Sequence, residues 1–77
     1  MGKHISEIIV CKNQKRKRGC RVRLGFTGLL GGMSQPVNTD ADGVAHISHS
    51  STGKAEIFVD GKKVGEDKFP NFVVIYL

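Results

Sequence analysis

Apolar and polar residues alternate along several short stretches of this chain, and that spacing predicts strands. The clearest stretch is Cys20 to Phe26: Cys20, Val22, Leu24 and Phe26 fall on one face, and Arg21, Arg23 and Gly25 on the other. Val44 to His49 repeats the pattern, with Ala45, Ile47 and His49 on one face and Val44, His46 and Ser48 on the other. Lys54 to Asp60 sets Ala55, Ile57 and Val59 inward and Glu56, Phe58 and Asp60 outward. Ile5 to Cys11 is less regular, but the β-branched run Ile8-Ile9-Val10 favours a strand. Its broken alternation fits burial on both faces or an oligomer interface. Phe72 to Leu77 closes the chain as a strand with no polar tail, which fits a strand tied into a sheet or one used in assembly.

Turn residues punctuate these runs. Lys12 to Gly19 reads as a polar loop, too short and too uniformly charged for a helix. Thr27 to Val37 holds Gly28, Gly31, Gly32 and Pro36. It reads as a turned connection in which Leu29, Leu30 and Met33 cover an open sheet end or meet a partner. Asp42-Gly43 and Asp60-Gly61 are turn dipeptides, because glycine accepts positive φ and aspartate bonds nearby amides. Ser50 to Gly53 is another turn, and Gly65 to Lys68 is polar. No stretch carries a helix-length amphipathic period. The expectation is an all-β chain, a small antiparallel β-sandwich of about six to seven short strands, forming one domain over residues 1–77.

At this point the residues resemble a known class of module. Gly19-Cys20-Arg21-Val22-Arg23-Leu24 precedes Thr39-Asp40-Ala41-Asp42-Gly43-Val44-Ala45-His46-Ile47, and Gly53-Lys54-Ala55-Glu56-Ile57-Phe58-Val59-Asp60-Gly61 follows. The order is similar to that of small transthyretin-like and carboxypeptidase-regulatory-like β-sandwich domains, over roughly residues 8–61. The chain departs from the pattern at Ala45 and Ala55, where aromatics are usual, and at the Lys15 to Arg18 run, which replaces a short turn. The resemblance implies an accessory module that positions, stabilises or binds.

Charge adds a second theme. The first 23 residues hold eight bases against the single acid Glu7, net +7, whereas the rest holds four bases and six acids, net −2. Lys12, Lys15, Arg16, Lys17 and Arg18 in the predicted loop, with Arg21 and Arg23 on the outer strand face, predict one continuous basic patch. Such a patch suits an acidic protein surface, self-association through the mildly acidic remainder, the phosphates of a nucleic acid, or simply a solvated face that keeps a structural subunit soluble. Aromatic platforms for single strands are scarce, since Phe58 alone points outward on a regular strand. Phe58 and His46 are candidate interface residues alongside the last strand. A chain of 77 residues buries only about 60% of its unfolded surface, so oligomerisation or attachment would relieve thin stability.

Catalytic and metal chemistry find little footing. His46 and His49 have opposite parity, so on a regular strand they point to opposite faces, and only an irregular strand would let them converge on a metal. Asn38, Asp40 and Asp42 lack the length and closing glutamate of a calcium hand. Ser48, Ser50 and Ser51 have no nucleophile setting. Cys11 and Cys20 flank the basic loop and read as reduced residues, with a bridge as the alternative. No run approaches a membrane helix, and the first residues make a poor secretion signal. The sequence therefore predicts a cytoplasmic, non-enzymatic binding or assembly module without cofactor, metal or membrane insertion. Its expected partner is a protein or a second copy, with nucleic acid as the alternative.

Overall fold

The computed structural model describes residues 3–28 and 31–77. Leu29 and Leu30, the two leucines of the expected turned connection, lie outside the described residues. Eight strands form: β1 (His4–Lys12), β2 (Lys15–Arg16), β3 (Arg21–Phe26), β4 (Val37–Asn38), β5 (Val44–His49), β6 (Gly53–Val59), β7 (Lys62–Phe69) and β8 (Phe72–Tyr76). They make two four-stranded sheets, a small all-β sandwich.

β1 is the centre of the first sheet. Along one edge it pairs antiparallel with β5, from His4–His49 to Ile9–Val44, and then with β2 at Cys11–Arg16 and Lys12–Lys15. Along its other edge it pairs in parallel with β8, from Glu7–Phe72 to Cys11–Tyr76. The second sheet is antiparallel throughout, in the order β4-β3-β6-β7. Ile8, Val10, Ala45, Ile47 and Ile75 of the first sheet meet Val22, Leu24, Ala55, Ile57 and Val59 of the second in one buried core. These are the inward positions that period-two spacing requires, and β-branched residues fill them well.

Two segments differ from their sequence expectation. Lys12 to Gly19 is mostly a hairpin rather than a loop. Asn13 and Gln14 both take positive φ, 53° and 66°, which matches the twist of the two strands they join. Gly65 to Lys68, expected as polar connection, continues β7. β7 is an edge strand whose charged side chains are satisfied by solvent and ion pairs, so it shows no apolar alternation. The predicted Asp60-Gly61 turn is present, with φ of 51° and 86°, joining the paired residues Val59 and Lys62. Cys11 and Cys20 are free: Cys20 is in the core, while Cys11 has the outward parity of Ile9.

Candidate functional site

The outward positions of β1 and β8 build a largely apolar surface. Ile8 and Val10 point into the core, so Ile5, Glu7, Ile9 and Cys11 point out. On β8 the inward pair is Val73 and Ile75, which leaves Phe72, Val74 and Tyr76 outward at 57%, 37% and 78% exposure. Register aligns these residues in rows across the sheet. One row is Phe72–Glu7–His46, the next Val74–Ile9–Val44, and the third Tyr76–Cys11–Arg16. Ile9 is nearly covered, at 6% exposure, although it faces outward. It forms the floor of a groove of about 370 Å³ lined by Cys11, Gln14, Arg16, Val74 and Tyr76.

The third row joins this apolar surface to the basic hairpin. Lys12, Lys15, Arg16, Lys17 and Arg18 are all exposed. Lys12 and Lys15 sit directly opposite each other, a like-charge pairing that costs stability. The hairpin packs on the turn before β5: the Val10 amide donates to the Gly43 carbonyl at 2.9 Å. Gly43 has φ of 75°, and a Cβ there would come within 2.8 Å of the Arg16 Cβ, so glycine permits the approach.

Arg21 and Arg23 belong elsewhere. They lie on the outer face of the second sheet, in β3, whereas the hairpin extends the first sheet. Lys12, Lys15 and Arg16 thus sit on the first sheet, Arg21 and Arg23 on the second, and Lys17 and Arg18 in the link between them. Around Arg21 and Arg23 the charges alternate in sign. The Arg21 amide donates to Asp60 Oδ1 at 3.0 Å, and Arg23 sits opposite Phe58, which sits opposite Lys63. Lys63 Nζ reaches Glu56 at 2.9 Å and Glu66 at 3.7 Å, and Lys54 reaches Glu66 at 3.5 Å. Hydrogen bonding to Glu56 raises the Lys63 pKa above the ordinary lysine value.

The two candidate interface residues part company. Phe58 points outward but is half-buried: its ring and the Met33 sulfur both crowd the space above Gly25. His46 is on the opposite face of the sandwich, exposed, with its ring 3.9 Å from the carboxylates of Glu7 and Asp40. His46 therefore shares a face with the last strand, and Phe58 does not.

A buried polar cluster escaped the sequence reading. Ser6 is fully buried, and its Oγ is 2.7 Å from His49 Nε2. His49 Nδ1 lies 2.7 Å from the Ser51 carbonyl, which can only accept, so Nδ1 carries a proton, and in the neutral ring the Ser6 hydroxyl donates to Nε2. The Asn71 amide in turn donates to Ser6 Oγ at 3.1 Å. The cluster resembles a serine–histidine pair, but a nucleophile with no exposed surface cannot meet a substrate. What it does is tie β1, β5 and the residue preceding β8 together. The inward parity of His49 with Ala45 and Ile47 was the available signal. Among the described residues, no three histidine, cysteine or acidic side chains converge as a metal site. No helix among them is long and apolar enough to cross a membrane.

No protein-family model matches the chain, and no curated protein matches it. Among solved structures, the chain is similar over 99% of its length to BcpA, the major pilin subunit of Bacillus cereus, at 15% identity and a TM-score of 0.67. The chain spans only 28% of that subunit's length. At this identity the likeness is one of fold, and it supports the two-sheet β-sandwich. The same match overturns the expectation of a cytoplasmic protein, because the matching structure is a pilin subunit. That expectation rested on a poor secretion signal, which says nothing about where a β-sandwich works.

Proposed function

We propose that this single β-sandwich domain is a non-catalytic assembly module that associates through the β8 side of its first sheet. The observation that carries the reading is the row of exposed apolar residues Phe72, Val74 and Tyr76 on a strand at the sheet edge. Exposed apolar area concentrated on one side of so small a domain marks an interaction surface. Likeness to a pilin subunit, a protein that assembles, supports self-association, and the transthyretin-like resemblance of residues 8–61 agrees with an accessory module. The basic hairpin forms the rim of the surface, where charge sets orientation and encounter rate more than affinity. The test is mass in solution over a wide concentration range. Tyr76→Ser should weaken association and Phe58→Ser should leave it unchanged; a strict monomer at every concentration contradicts the reading.

A second reading, nucleic-acid binding, rests on the five exposed cations from Lys12 to Arg18. The division of Arg21 and Arg23 onto the other sheet, beside Asp60, reduces the phosphate contacts one surface can make. Titration with labelled DNA and RNA at several salt concentrations tests it: binding that falls steeply with salt supports it, and none at low salt rejects it.

A further inference from the structure

We infer that the occupant of the β8 edge is β8 of a second copy, paired antiparallel about Val74. The inference rests on the assembly reading above and adds a partner, a register and a symmetry to it. The amide of Glu7 donates to the Asn71 carbonyl and the amide of Leu77 to the Cys11 carbonyl, so the odd-numbered residues of β8 turn their backbone groups toward β1. The backbone groups of Phe72, Val74 and Tyr76 therefore point to the other edge. Among the described residues no strand pairs there. The Phe72 amide is held by the side chain of its own neighbour, Asn71, at 2.7 Å, as an outward amide would be.

An antiparallel pairing centred on Val74 is self-complementary. Val74 faces Val74 of the second copy, and Phe72 faces Tyr76 of the second copy twice, once on each side of the axis. Aromatic pairs directly opposite each other are favourable cross-strand neighbours. A two-fold axis normal to the sheet keeps the outer faces on one side, so the apolar rows of the two copies become continuous. The other edges suit this less well. β7 carries Lys62, Lys63, Glu66, Asp67 and Lys68, β4 is two residues long, and β5 presents His46 and Ser48 on its outer face. β8, Phe72-Val73-Val74-Ile75-Tyr76, carries no charge.

Charge does not oppose a second copy in this arrangement. β2 lies across β1 from β8, so the two hairpins are five strand steps apart, roughly 24 Å at ~4.8 Å per strand. That exceeds a Debye length of about 8 Å at physiological salt. The antiparallel direction also turns the hairpin end of one copy toward the end of the other that carries Glu7, since Tyr76 shares a row with Arg16 and Phe72 with Glu7. Opposite charges thus lie along the same continuous row, four strand steps or roughly 19 Å apart, where salt screens them as it screens the hairpins.

The test uses the intact chain and sedimentation equilibrium. Phe72→Lys and Tyr76→Glu, each alone, should raise the dissociation constant by roughly tenfold, and the two together should restore it, because each introduced cation then faces an introduced acid. Val74→Pro removes an amide that points only to the open edge, a position where an edge strand tolerates proline, and should weaken the dimer at least as much. A wild-type oligomer whose double variant stays as weak as the single ones overturns the edge pairing and leaves the assembly reading standing. A wild-type monomer at all concentrations overturns both.

Discussion

β7 and β8 are both edge strands, one in each sheet, and they are built in opposite ways. β7 carries charges of both signs, and its Lys63 and Glu66 are held in ion pairs with Glu56 and Lys54. Charge on an edge discourages a further strand from pairing. β8 has apolar side chains on both faces and no charge, and only its inner face is covered. The same small core supports both. An edge protected at β7 and left open at β8 is the contrast on which the proposed assembly rests.

The largest test of the comparison asks whether the two sheets stand or fall together. Ile8→Ala beneath the first sheet and Ile57→Ala beneath the second remove fully buried side chains. Each should cost on the order of 2–5 kcal/mol in denaturant unfolding, enough to threaten a domain this small. Release of β8 alone in the Ile8 variant, with the second sheet intact, would break the picture of one shared core.

Ser6→Ala acts on the β8 side only. It strips partners from buried His49 Nε2 and from the Asn71 amide, and should cost roughly 1–3 kcal/mol. Amide exchange at Glu7, which donates to the Asn71 carbonyl, should quicken more than exchange in β6.

The converse experiment removes the protection from β7. Replacing Lys63 and Glu66 together with valine should create association, read as mass in solution, that the native edge lacks. If this variant stays as the wild type, charge is not what separates the two edges.

The smallest effects are in pH. The folded state raises the Lys63 pKa through Glu56, so the stability it adds is complete below the ordinary lysine range and fades as pH rises through the raised value. Asp40 behaves in the opposite sense. Backbone hydrogen bonds, chiefly from Val44, lower its pKa, so its contribution is complete above the usual carboxyl range and is lost as pH falls through the lowered one. Denaturation of Lys63→Met should flatten the alkaline limb, and that of Asp40→Asn the acid limb.

Much of the sandwich was legible in the sequence. β5 and β6 alternate cleanly, and Asp60-Gly61 marks their neighbouring hairpin turn. The basic hairpin was not, because Asn13-Gln14 takes a left-handed turn without a glycine, and Lys15-Arg16 has no apolar residue to signal a strand. The parallel union of β1 with β8 joins the two ends of the chain, and no local pattern encodes it. For the candidate site, the charge run drew attention to itself, while the apolar β8 read simply as the closing strand. Which face of β8 is covered depends on the partner sheet, so Phe72 and Tyr76 could not be identified as surface residues beforehand.

The central claim is that β8, not β7, is the edge that takes a partner. Amide hydrogen exchange measured at low and high protein concentration tests it most directly. The account predicts that the Val74 and Tyr76 amides slow as concentration rises while the outward amides of β7 stay unchanged. Unchanged exchange at Val74 and Tyr76, or slowing at β7 instead, would contradict it.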